Sequence, residues 1–270
     1  MKFLFWNTYK NKSINSVLSE LIMENNISIA VLAEYSANMK ELIDILISNG
    51  IVMKQYYSGC DRIKLLGSLN SVEPRLDTDH ASIQIINGKD ILCCVHLNCQ
   101  LYSGHQGRRE ILIEQIVHDI QTVEQEINTE NSIVVGDFNI SPYDPSCIDA
   151  RYFHGIPVYS EAKRKSRDVE RKEYYMFYNP MWNLLGDFKP PYGTYYSNEG
   201  GTQNTFWYIF DQVIFRPALR KRFVDESLKI ITHTKTKYFL DKNGHPDKNI
   251  SDHLPIVFEF EEEYCYGSKP

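Results

Sequence analysis

The chain has 270 residues, 43% of them apolar and 24% charged, and a formal net charge of −6. This composition matches an ordinary globular protein and excludes disordered, collagen-like and coiled-coil chains. At this length roughly 70% of the unfolded surface is buried on folding, so neither disulfides nor a structural metal is required.

The charge is uneven: residues 1–150 carry 11 basic and 19 acidic side chains, whereas residues 151–270 carry 18 and 16. Such a balance gives no global attraction for polyanions, and a nucleic-acid partner would need a local basic face. The six cysteines (Cys60, Cys93, Cys94, Cys99, Cys147 and Cys265) contain no Cys-x-x-Cys pair and are expected to be free thiols. Adjacent Cys93 and Cys94 should point to opposite faces of one strand. No apolar run is long enough for a signal-peptide core or a membrane span, and the expectation is a cytoplasmic protein, monomeric by default.

In chain order, residues 2–6 read as a short buried strand, and Ile14, Val17, Leu18, Leu21 and Ile22 then repeat along one helix face. Ile27 to Ala33 is a second strand, followed by a helical pattern (Met39, Leu42, Ile43, Leu46, Ile47) that ends at Gly50. Strands are expected over 51–57, 63–69, 81–86 and 91–97, the last two joined by Asn87-Gly88, a hairpin signal. A long amphipathic helix through Ile111, Ile116, Ile120, Val123 and Ile127 precedes the strand Ser132–Val135. Residues 141–204 read as irregular, and strand composition returns at 205–215 and 254–260. Nothing divides the chain, so residues 1–270 are read as a single α/β domain with mixed sheets covered by helices.

Several apolar strand patterns end in, or are followed or preceded by, residues that bind metal or phosphate: Trp6-Asn7, Ala33-Glu34, Val95-His96, Gly136-Asp137-Phe138-Asn139 and Ser251-Asp252-His253. Singly each has an ordinary structural explanation, as a solvated edge, a satisfied histidine or a turn former. Together they gain force, because strand ends on one side of a sheet converge on one crevice.

These stretches, FWN (5–7), LAEYS (32–36), VHLN (95–98), GDFNISP (136–142), IFDQVIF (209–215) and SDHLPI (251–256), resemble the endonuclease/exonuclease/phosphatase superfamily and occur in its order. The resemblance implies a four-layered α/β sandwich of two mixed β-sheets flanked by helices, and metal-dependent hydrolysis of phosphate esters. It implies Mg²⁺ or Mn²⁺ bound by Glu34, Asn7 and Asp252, hard oxygen donors suited to such ions. Asp137 matches the residue that orients or deprotonates the attacking water, and Asn139 would bind that water or a phosphate oxygen. His253, as imidazolium, would bind the scissile phosphate, with Asp211 hydrogen-bonded to it and raising its pKa. An Asp in so apolar a strand independently requires a partner.

His96 matches a histidine that assists the leaving group in the deoxyribonuclease and 5-phosphatase branches. Its carboxylate partner is not identifiable among Glu73, Asp77 and Asp79. Arg108 and Arg109, near the start of the long helix, are candidate substrate-binding residues along with Asn7. The stretch Arg151 to Tyr175 holds seven basic and four acidic residues interleaved with tyrosines, a composition that suits a polyanion-tracking loop or a solvated helix. Tyr192 to Trp207 should form the rim of the site. The favoured reading is a Mg²⁺-dependent nuclease with nucleic acid as substrate. The alternatives are a phosphatase for a small metabolite, inositol phosphate or lipid headgroup, and an inactive binding module, disfavoured because every polar position is filled.

Overall fold

The computed structural model describes residues 1–98, 106–188, 190–199 and 201–262. Cys99 and Cys265 lie outside them, while Cys60, Cys93, Cys94 and Cys147 are free and buried.

The chain opens with β1 (Lys2–Asn7), α1 (Asn15–Asn25), β2 (Ile29–Ala33) and α2 (Met39–Ser48). Helix α2 starts where Asn38 accepts from the amides of Lys40 and Glu41, and the chain turns at Gly50 with φ +80°. Strands β3 (Lys54–Tyr56), β4 (Ile63–Gly67), β5 (Val72–Asp77), β6 (Ala81–Ile86) and β7 (Asp90–His96) follow, then α3 (Gln106–Glu126) and β8 (Ser132–Asp137). Asn87 and Gly88 both have positive φ, the tight hairpin their sequence implied. Residues 141–204 contain short pieces where none were expected: α4 (Pro145–Ile148), β9 (Gly155–Ile156), α5 (Tyr159–Ala162), β10 (Ser166–Val169), β11 (Lys172–Tyr175), β12 (Phe177–Tyr178) and β13 (Tyr195–Tyr196). Strands β14 (Trp207–Tyr208), β15 (Asp211–Phe215), β16 (Lys229–Ile230) and β17 (Ile256–Glu259) complete the elements that build the sheets.

Two mixed sheets result, in the orders β16-β17-β1-β2-β4-β3 and β5-β6-β7-β8-β15-β12-β9. Period-two alternation sorts each strand's side chains between two cores. Phe3, Phe5, Val31 and Leu65 of the first sheet meet Leu92, Cys94, Val135 and Val213 of the second in the layer between them. The opposite face of the first sheet, through Leu4, Trp6, Ala30 and Leu32, packs on Leu18, Leu21, Leu42 and Leu46 of α1 and α2. The opposite face of the second, through Ile83, Cys93, Val95 and Val134, packs on Ile113, Ile116, Ile120 and Val123 of α3. This is a four-layered α/β sandwich. Cys93 and Cys94 fall on opposite faces of β7, as adjacency in a strand requires. Strand β5 escaped the sequence reading because Pro74 interrupts it; it is an edge strand whose register slips between Pro74 and Leu76. No helix among the described residues is long and apolar enough to cross a membrane.

Gly136 is fixed by a close strand approach. A Cβ there would lie 1.9 Å from the Val95 carbonyl oxygen, on the parallel neighbour β7. Gly136→Ala is therefore expected to cost about 3 kcal/mol or more of stability by forcing β7 and β8 apart, readable in urea denaturation; a loss under about 0.5 kcal/mol would show that the strands yield freely.

Candidate active site

The two sheets present their functional ends together. Asn7 closes β1 and is in register with Ala33 of the parallel strand β2, so Glu34 follows at the same level. His96 and Asp137 are the last residues of the parallel pair β7 and β8 and face each other in register, and Asp211, the first residue of β15, is in register with Asp137. Two parallel pairs and one antiparallel partner thus bring polar residues from five strands to one crevice. The cleft has a volume of about 240 Å³, and its lining includes Asn7, Glu34, His96, Asp137, Asn139, Asp252 and His253, with Asp211 behind His253.

Asp137 lies at the centre and is almost wholly buried. One carboxylate oxygen accepts from the backbone N–H of Asn139 at 2.9 Å, the other from the side-chain amide of Asn7 at 3.0 Å. The second oxygen also faces Nε2 of His96 at 3.7 Å and Nε2 of His253 at 3.9 Å. Burial pushes its pKa up; the His253 charge opposes this, Asp211 reinforces it, and the bonds from Asn7 and Asn139 oppose it.

His253 is held from behind by Asp211, whose carboxylate oxygen lies 2.8 Å from Nδ1. Burial alone would lower its pKa, but the charges of Asp211 and Asp137, the Asp211 hydrogen bond and Asp252 outweigh burial and hold it at about 10. His253 is therefore an imidazolium at neutral pH. Its loop is anchored by the Trp6 indole N–H, which donates to the His253 carbonyl, and by the Ser251 hydroxyl, which donates to the Asn7 carbonyl. The Tyr195 ring lies 4.9 Å from the His253 ring, so the tyrosine-rich segment does supply a wall of the cleft.

His96 is the opposite case. Burial, then the charges of Arg62, His253, His80 and Lys10, push its pKa down to about 3. Its Nδ1 is buried with no hydrogen-bond partner. None of Glu73, Asp77 and Asp79 supplies the carboxylate that would charge it, and it is a neutral imidazole.

The donor set fits a divalent cation. Oδ1 of Asp252 is buried without a hydrogen-bond partner, and burial followed by the Glu34 charge pushes the Asp252 pKa up against the pull of His253. Glu34 sits at φ +49°, a strained conformation for this residue, with its carboxylate in the cleft mouth. Two carboxylates lining one cleft, one of them with an orphaned oxygen, are donors that suit a hard cation. Asn7 Oδ1 accepts from the Tyr9 amide at 3.1 Å and retains one lone pair. Asp137, Asp211 and His253 also lie close enough to share an ion. The 2.8 Å Asp211–His253 contact instead marks a hydrogen-bonded ion pair, since the two positions face each other with a proton between them.

Some expectations fall elsewhere. Asn139 donates its side-chain amide to the Leu97 carbonyl at 2.9 Å, so part of its donor capacity holds the loop rather than facing substrate. Arg109 is buried and reaches the Asn139 carbonyl, Ser146 and Asp144 from outside the cleft. Arg108 is exposed on α3 and does not line the cleft. The basic stretch is not one continuous loop or helix: it runs through the four-residue helix α5 and the exposed hairpin β10–β11. Lys165 pairs with Glu130, two residues before β8 begins, about 16 Å of strand away from Asp137 at its other end. These cations therefore do not flank the cleft. Arg62, just before β4, lines the cleft but gave no signal in the sequence, where a lone arginine beside an apolar strand reads as surface.

No protein-family model matches the chain, and no curated protein matches it. Solved structures do. A 3′ phosphatase, NExo, from Neisseria bound to a product DNA hairpin superimposes with TM-score 0.57 at 17% identity, covering 97% of this chain and all of that one. An AP endonuclease from Archaeoglobus fulgidus gives TM-score 0.59 at 14% identity with the same coverage. The human Nocturnin catalytic domain with bound sulfate gives 0.56 at 16% identity, over 97% of this chain and 94% of that one. The fold is thus the one the sequence motifs implied.

Proposed function

On the fold of the endonuclease/exonuclease/phosphatase superfamily, we propose that this protein is a divalent-metal-dependent phosphodiesterase acting on nucleic acid. The observation that carries the reading is the buried Asp137 carboxylate, fixed by two N–H donors and flanked by the ring nitrogens of His96 and His253.

Glu34 and Asp252, with the remaining lone pair of Asn7 Oδ1, would hold Mg²⁺ or Mn²⁺. When bound, the cation neutralises the phosphoryl oxygens and stabilises charge gathering on them. Asp137 takes the proton of the attacking water while the water oxygen forms its bond to phosphorus and the ester P–O bond to the leaving oxygen breaks, that oxygen then taking a proton from solvent; burial raises the basicity needed for the first transfer. His253 donates from Nε2 to a phosphoryl oxygen, and Asp211 keeps it charged and oriented. His96, being neutral, stabilises the leaving oxygen through an Nε2–H hydrogen bond rather than as an imidazolium. Asn7 and Asn139 orient Asp137.

The nucleic-acid part of the reading leans on the structural neighbours, one bound to a DNA product and another an AP endonuclease. The placement of the basic hairpin far from the cleft favours the rival, a phosphatase for a small phosphate ester. A panel of supercoiled DNA, single-stranded DNA, RNA and inositol polyphosphates with Mg²⁺ or Mn²⁺ separates the two. On the correct substrate, activity is expected to vanish in excess EDTA and return on adding metal. Arg62 and His253 in the cleft, with the exposed Lys10 beside Glu34, face four carboxylates, too little positive charge to neutralise a phosphate unaided. Full turnover in EDTA would sink the metal assignment.

A further inference from the structure

We infer that Arg62 binds a non-bridging oxygen of the scissile phosphate from the β4 wall of the cleft, as a permanent cation there. This rests on the phosphodiesterase reading above.

The backbone fixes Arg62 at the cleft. Its carbonyl accepts the Glu34 amide at 3.2 Å, and the next residue, Ile63, is in register with Ala33, so Arg62 stands directly across from Glu34. Among the described residues its guanidinium makes no hydrogen bond or ion pair, although Asp61 and Glu34 are close in chain or register. The other permanent cation here, Lys10, lies 4.0 Å from the Glu34 carboxylate and is largely exposed. Arg62 is thus an uncommitted, always-charged fork in the wall of a cleft whose other groups bind or activate a phosphate.

The two histidines flanking Asp137 are held unequally. On one side, Nδ1 of His253 is hydrogen-bonded to Asp211 at 2.8 Å. On the other, the buried Nδ1 of His96 has no hydrogen-bond partner behind it. A phosphoryl group in transfer carries charge on its peripheral oxygens, and stabilisation requires donors on more than one side. A guanidinium in the β4 wall of the cleft meets that need through two N–H groups.

The test uses Arg62→Gln and Arg62→Lys in the Mg²⁺-loaded protein, with hydrolysis of DNA and of bis(p-nitrophenyl) phosphate measured in parallel. Arg62→Gln should lose on the order of a hundredfold in kcat/KM on both substrates, since the small diester offers only its scissile phosphate. Arg62→Lys should recover to within about tenfold of the parent, because charge is kept and the fork is lost. Because the side chain is exposed and unbonded, both variants should melt as the parent does. A second readout needs no turnover: affinity for inorganic phosphate, by titration calorimetry, should fall at least about tenfold in Arg62→Gln. Loss on DNA alone would move Arg62 to a neighbouring phosphate and overturn the assignment. Rates within threefold on both substrates with unchanged phosphate affinity would overturn it as well. A parent inactive on every diester, yet with phosphate binding weakened in Arg62→Gln, would sink the proposed function while leaving the anion contact standing.

Discussion

Asp137→Asn is expected to lower kcat by about 10²–10⁴-fold with KM little changed, because it removes the proton acceptor for water while leaving every substrate contact in place. The substitution keeps the shape of the side chain, and the cost to the fold should be small for a specific reason. The native carboxylate is almost wholly buried and its pKa is pushed up, so its ionised form is a liability to folding at neutral and alkaline pH. A neutral amide relieves that burden, although it loses one acceptor for the donors of Asn7 and the Asn139 backbone. Melting temperature measured beside single-turnover rates therefore separates chemistry from folding. A kcat within tenfold of the parent would remove Asp137 from the base role.

His253→Ala should cost about 10²–10³ in kcat, the scale of losing one preorganised donor to the transition state. It also strands Asp211, a fully buried carboxylate, and should destabilise the protein. Asp211→Asn is the gentler probe: it keeps the packing and removes the charge that raises the His253 pKa to about 10. The alkaline limb of the rate profile should then move to lower pH. Stability follows the same linkage. The folded pKa lies above the ordinary histidine value of about 6.5, so the pair's contribution is complete below that value and is lost as pH rises from there toward 10. Urea midpoints across this window should fall in the parent and stay flatter in Asp211→Asn. Identical slopes would show that the His253–Asp211 pair does not hold the proton.

What the sequence disclosed depended on whether a signal was local. The strand-helix alternation of the first fifty residues and the Asn87-Gly88 hairpin are set by side-chain period and turn chemistry within a few residues, and both were legible. The polar residues at strand ends were legible as motifs, and their convergence followed from the rule that strand ends on one side of a sheet meet in one crevice. The hairpin β10–β11 was not, because its turn uses Glu170 and Arg171 with positive φ, where the usual asparagine or glycine would have announced it. Gly136 was visible as part of a motif, but the reason for it, a carbonyl on the neighbouring strand, belongs to tertiary structure. The neutral state of His96 and the place of Arg62 are likewise products of burial and cross-strand register, which no short window of sequence encodes.

The antiparallel pairing of β1 with β17 has a consequence for biosynthesis. Asn7 leaves the ribosome about 245 residues ahead of Asp252 and His253, which come just before the strand that docks beside β1. Until β17 is threaded between β16 and β1, the Ser251–Asn7 and Trp6–His253 bonds cannot form. A nascent or prematurely terminated chain that stops short of Asp252 therefore carries Asp137 and Glu34 but lacks Asp252, His253 and the strand that seats them. Under the function proposed above, such a chain lacks residues the reaction needs, so activity waits on the docking of β17.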